Sequence, residues 1–153
     1  MKRELILVIT ILILTSCGEK KNGVEGTSEP EQIVDKFFDI YKKGGPRNAL
    51  GSLLPTNKYI SVQDADSVGI KLERLTSDLG DFQGHEKIKE STYGKGITHL
   101  VYVVKYSQQP LRFNFKFYQP GNGWRIQNFS YEVEFLDELD ETTRAVRLKE
   151  NNE

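Results

Sequence analysis

The stretch Leu111-Arg112-Phe113-Asn114-Phe115-Lys116-Phe117-Tyr118 puts a large apolar side chain at every second position for four repeats. Period two is the period of a β-strand, and polar residues between the apolar ones predict one buried face and one wet face. Ile97 to Ser107 is a β-branched and aromatic run that predicts a strand just before it. Gln108-Gln109-Pro110 and Gln119-Pro120-Gly121-Asn122-Gly123 are turn chemistry, so neighbouring strands should pair antiparallel. In the following strand Trp124 and Ile126 hold one phase, while Phe129, Tyr131, Val133 and Phe135 hold the other. That slip predicts a β-bulge near Asn128. A weaker strand, Phe82 to Tyr93, comes first and turns at Gly94-Lys95-Gly96.

Upstream the period changes to that of a helix. Ser28-Glu29-Pro30-Glu31 is a capping box with proline in the first turn, followed by Ile33, Val34, Phe37, Phe38 and Tyr41 at helical spacing. Gly44-Gly45 should stop that helix, and Pro46 should start a second with Ala49, Leu50, Leu53 and Leu54, closed by Pro55. A third begins near Asp64, with Ala65, Val68, Leu72, Leu75 and Leu79 on one face and Gly80 as its C-cap. Gly69 is an unusual residue inside it. Helices first and an antiparallel meander second is an α+β plan: three N-terminal helices packed on a four-stranded sheet.

The N-terminus reads as an address. Lys2 and Arg3 precede Leu5–Leu14, which is apolar except for Thr10. As a helix this segment would be about 15 Å long, half of a bilayer's hydrocarbon thickness, so it can insert but cannot span. Leu14-Thr15-Ser16-Cys17 follows and holds the only cysteine of the chain. This segment resembles the lipobox of bacterial lipoprotein precursors. The resemblance implies lipidation of Cys17 and cleavage before it, leaving residues 1–16 as signal peptide. A thiolate suits that chemistry as a soft nucleophile, and several acyl chains give a lasting anchor where one gives a marginal one. Residues 17–29 lack apolar periodicity and are expected to be a flexible tether.

Together with the lipobox, "DLGDFQGHEKI", "YVVKY" and "LRFNFKFYQPGNGWRIQNFSYE" resemble small bacterial lipoproteins with an NTF2-like (cystatin-like) domain. That resemblance covers about residues 30–135. It implies a strongly bent sheet wrapped around a helical layer, leaving a conical pocket. Its motifs are framework features, so they imply a fold and not an activity. Residues 136–153 are charge-rich and are expected to form a frayed helix or tail. Gly18 stands where enterobacterial lipoproteins retained at the inner membrane carry aspartate, which implies the outer membrane, facing the periplasm, in a Gram-negative cell.

The chain has 153 residues, with 21 Lys and Arg against 22 Asp and Glu. Near-neutral, mixed charge over the chain as a whole gives no footprint for nucleic acid or for anionic lipid. His85 and His99 are the only histidines and no cysteine cluster joins them, so no metal site or cofactor is expected. Gly94-Lys95-Gly96 and Gly121-Asn122-Gly123 are hairpin turns without the strand-loop-helix setting of a phosphate loop. Phe37, Tyr41, His99, Phe113, Phe115 and Trp124 are candidates to line a pocket for a small apolar ligand, or else to form the core. Enzymes resembling ketosteroid isomerase place acid-base groups in such a pocket. The candidates here are Asp35, Asp39, Tyr41, His99, Tyr106 and Tyr131, but no catalytic motif of those families matches them. The wet face, Arg112, Asn114, Lys116, Tyr118, Arg125 and Gln127, has basic character and could dock another envelope protein. These readings predict a lipid-anchored, non-enzymatic envelope module, with a small acid-base enzyme acting on an apolar substrate as the alternative.

Overall fold

The computed structural model describes residues 29–150; the expected signal peptide, Cys17 and the expected tether before Glu29 lie outside the described residues. Helices α1 (Glu29–Leu53) and α2 (Val62–Ser77) flank a 3-10 turn at Leu54–Thr56. Strands β1 (Phe82–Tyr93), β2 (Ile97–Tyr106), β3 (Leu111–Tyr118) and β4 (Arg125–Glu132) follow, and helix α3 (Leu136–Glu150) closes the order.

Helix α1 is two helical segments joined at Gly45, whose φ of 78° and ψ of 179° are not helical. Pro46 disfavours the helical region for the residue before it, and glycine tolerates the positive φ that results. The stop at Gly44-Gly45 and the restart at Pro46 therefore coincide with this break. Ser61 caps α2, its Oγ accepting from the Asp64 N–H at 3.0 Å. Gly69 is buried where α2 crosses α1: a Cβ there would stand 3.0 Å from Arg47 Cα, so the close crossing explains this glycine. At the exit of α2, Gly80 has φ 81°, and a Cβ would collide with Ser107 Oγ. The same Oγ accepts from the Asp81 N–H at 3.0 Å, stitching that corner to the end of β2.

The strands form one antiparallel sheet in the order β1-β2-β3-β4. Register shifts occur in β1 and, between Lys116 and Phe117, opposite Gln127 of β4, next to the expected bulge. The meander is open at β1 and β4 and is neither closed nor curled. This overturns the NTF2-like (cystatin-like) resemblance and the bent sheet with a conical pocket that it implied. Period-two patterning states which face is buried, but curvature depends on twist, bulges and register summed over all strands. The arrangement of three N-terminal helices is also corrected. Two α-helices precede the sheet, because the first two expected helices join across Gly45 as α1 and the expected third is α2, while α3 follows the sheet in the segment expected to be a frayed helix or tail.

The core lies between the sheet and the first two helices. Val34, Phe37, Phe38 and Tyr41, then Ala49, Leu50 and Leu53, are the buried face of α1. They meet Leu100, Tyr102 and Val104 of β2, Leu111, Phe113, Phe115 and Phe117 of β3, and Ile126 of β4. Phe37 meets Phe115 edge-on at 5.2 Å between centroids and 73° between planes, a favoured aromatic geometry. Phe115→Ala should lower unfolding free energy by about 3–5 kcal/mol in urea titration, since a fully buried ring leaves a cavity. Tyr59→Ala, at a side chain 73% exposed, should stay within about 0.5 kcal/mol of wild type. Equal losses at the two positions would overturn this assignment of the core.

Candidate functional site

Four of the six pocket-or-core candidates belong to the packed interior. Phe37, Tyr41, Phe113 and Phe115 are at most 4% exposed and touch one another's rings. Trp124 is half-buried at the margin of the same cluster. A cavity of about 110 Å³ lies between Ile33, Phe37, Leu53 and Thr56, well below the roughly 300–1,000 Å³ of ordinary ligand pockets. A larger depression of about 380 Å³ lies beside the Arg47–Asp66 ion pair, and one of about 410 Å³ borders Glu132, Phe135 and Glu138. Neither is lined by the acid-base candidates.

Those candidates do not gather in one cavity, although Tyr41 and Tyr106 meet. Asp35 and Asp39 are exposed on α1. Tyr106 points into the core, where its hydroxyl is hydrogen-bonded to that of Tyr41. Burial raises both phenols, Tyr41 to about 12, so they are neutral packing groups near neutral pH. His99 points to the opposite face of the sheet. An odd number of strand positions separates it from Tyr106, and successive side chains alternate faces. The acid-base set required by the pocket-enzyme alternative is therefore not assembled, and that reading is withdrawn along with the fold that suggested it. Among the described residues no group of three His, Cys, Asp or Glu side chains comes together to hold a metal ion.

His85 occupies a more distinctive position. Its ring stacks on Phe38 at 3.7 Å and 6° between planes. The register shift between Phe82 and Gly84, with Gly84 at φ 132°, precedes it in β1. Burial holds its pKa below the usual histidine value, opposed by the carboxylates of Asp35 and Asp39. Burial, then Glu31, raises the Asp35 carboxyl. Nearby, Lys87 donates to Glu31 at 2.7 Å and to Glu90 at 2.9 Å, fastening the start of α1 to β1.

The outer face of the sheet carries a polar chain that crosses three strands. His99 Nε2 and Asn114 Oδ1 are 3.2 Å apart, and Asn114 Nδ2 donates to Glu132 Oε1 at 2.8 Å. Arg112 pairs with Glu132 and, through two bonds of 2.6 Å, with Glu138 of α3, while its guanidinium lies 5.6 Å from the Phe135 ring. The basic character expected of this face is offset at this end, because two carboxylates hold Arg112. At the other end of the face, Arg125 lies between the rings of Tyr59 and Tyr118, at 5.0 and 5.5 Å. Buried Asn57 places Tyr59 there by donating to the Ile126 carbonyl at 2.9 Å and accepting from the Tyr59 N–H at 3.1 Å.

Comparison with known proteins supplies no role for these residues: no family model matches the chain, and no curated protein matches it. No comparison therefore supports the lipoprotein part of the family resemblance either, and its lipobox lies outside the described residues.

Two tests address the groups themselves. A histidine whose folded pKa is depressed contributes full stability above its unfolded pKa, near 6.5, and loses it as pH falls toward the folded value. The thermal midpoint should therefore fall between pH 7.5 and 5.5, and His85→Gln should reduce that fall; an unchanged slope would remove His85 as its source. Glu138→Ala should speed amide exchange in the first turns of α3 while leaving β3 protected, and unchanged exchange would show that Arg112 does not hold the helix.

Proposed function

We propose that the chain is held at a membrane of the cell envelope through a lipid on Cys17, and that its folded domain works through the outer face of the open sheet. The observation that carries the first part is the order Lys2-Arg3, Leu5–Leu14, Leu14-Thr15-Ser16-Cys17. A short apolar segment with a basic start ends there in small residues and a cysteine, an order that resembles the lipobox of bacterial lipoprotein precursors. No described helix is long and apolar enough to cross a membrane. The second part is supported by the filled interior: the helix-side face of the sheet is occupied by rings, whereas the outer face presents polar, cationic and aromatic groups. In a Gram-negative cell the absence of aspartate at Gly18 favours the periplasmic side of the outer membrane.

Mass spectrometry of the protein extracted from membranes should show an N-terminal peptide that begins at Cys17 and carries a lipid mass. Cys17→Ala should abolish that mass and leave the chain uncut. A mature protein with a free thiol at Cys17 would overturn the anchor.

A further inference from the structure

One end of the outer face has a composition that the polar chain around Arg112 does not share. Tyr93, Ile97, Tyr118 and Arg125 are consecutive cross-strand partners, one from each strand in order, so they form a single row across the sheet. Directly paired residues share a face. Tyr93 is 63% exposed, Ile97 43% and Tyr118 37%. Tyr59, 73% exposed, extends the row beyond β4 by stacking on Arg125, and Lys58 Nζ lies 5.2 Å from the Tyr59 ring. The next row inward holds Ser91, His99, Lys116 and Asn128. Neither row contains a carboxylate, and Lys95 sits at the tip of the β1–β2 turn. The carboxylates of the outer face, Glu86 and Glu132, lie in the row of Val103 and Arg112 toward the other end. The face is thus split into a neutralised end and a cationic, aromatic end.

The direction of α1 adds an independent observation. Tyr41 lies against Phe82 at the start of β1, Phe38 against His85, and Glu31 against Lys87. Helix α1 therefore runs antiparallel to β1, and its first residue, Glu29, points toward the Tyr93 end of the sheet. Twelve positions separate Cys17 from Glu29. A chain of that length reaches at most about 40 Å, so an anchor at Cys17 keeps the domain close to the bilayer, attached from this end.

We infer that the Tyr93–Ile97–Tyr118–Arg125–Tyr59 row, with Lys58, Lys95 and Lys116, lies against an anionic bilayer surface. Tyrosine rings suit the boundary between acyl chains and headgroups, and Arg and Lys match anionic headgroups within a Debye length. The inference deepens the tether reading above and rests on it for the proximity of the domain to the bilayer.

The test is hydroxyl-radical footprinting of the full chain in vesicles of phosphatidylcholine alone and in vesicles with one third phosphatidylglycerol. Tyr59, Tyr93 and Tyr118 should be modified at least threefold more slowly in the anionic vesicles, the protection should vanish at high salt, and Val146 on α3 should be unaffected. The double variant Lys58→Glu, Arg125→Glu should lose protection at Tyr93, which is not itself substituted and lies on the far strand. Should that variant fold poorly, the salt dependence of the wild type decides. Equal modification of the three tyrosines in both vesicles would overturn the inference, as would protection that depends on protein concentration and not on lipid charge. The mass of Cys17 is read from the same samples. An acylated Cys17 with unprotected tyrosines removes the face and keeps the tether, and protected tyrosines with a free thiol do the reverse.

Discussion

Phe37 and Phe38 are adjacent on α1, yet both rings reach the sheet, Phe37 edge-on to Phe115 and Phe38 parallel to Phe113 at 6.3 Å. Successive helix positions are about 100° apart, so together the pair covers a wide stripe of the helix, and they meet each other edge-on at 5.1 Å. Phe113 and Phe115 stand two residues apart on one face of β3, which is the matching spacing. Phe129 of β4 closes the group at 5.3 Å from Phe113 and 5.2 Å from Phe115. Helix α1, the register of the central strands and the placement of β4 all depend on this ring cluster. Displacing β3 by one residue would put Arg112, Asn114 and Lys116 against the helix.

That packing also settles which part of the molecule is available for other work. Filling the helix side with aromatic rings leaves the outer face, where the burial of Val101 and Asn114 coexists with exposed Lys116 and Tyr118. Its two ends differ electrostatically. Arg112 is balanced by Glu132 and Glu138, and Lys105 by Glu86 at 2.9 Å. Arg125, by contrast, rests against two tyrosine rings; its Nε, like that of Arg112, is buried without a hydrogen bond among the described residues. The ring faces attract the guanidinium through their quadrupoles without neutralising it as a carboxylate would. The edges of the sheet are protected by different means. β1 carries Glu86, Lys87, Lys89 and Glu90 along an exposed strand, a charged edge that discourages strand addition. β4 is tied to the 3-10 turn, where Thr56 Oγ1 accepts from the Ile126 N–H at 3.3 Å and Asn57 takes the Ile126 carbonyl.

Much of this architecture was legible in local pattern. The four strands, their antiparallel turns, the slip beside Asn128, the break at Gly45-Pro46 and the glycine exit at Gly80 follow from short-range rules, because each depends on residues within a few positions of one another. Gly69 was legible as an oddity but not as a cause, since the Arg47 backbone that requires it is on another helix. The candidate site was less legible. His99 and Tyr106 are assigned to opposite faces by counting along one strand, and the sequence could have separated them. His85 could not be placed that way, because the register shift at Gly84 changes which face each residue of β1 takes.

The sequence by itself determined the period of each segment, the buried side of β3 and the positions of turns, since these depend on residue type and spacing alone. Only the tertiary structure decided that the sheet stays open, that α3 returns to Arg112, and that Tyr59 reaches Arg125 across 66 positions of chain. The physical reason is range. Propensity and periodicity act over a few residues, whereas sheet curvature, ion pairs across elements and a cation between two rings depend on the summed geometry of every strand and loop between them.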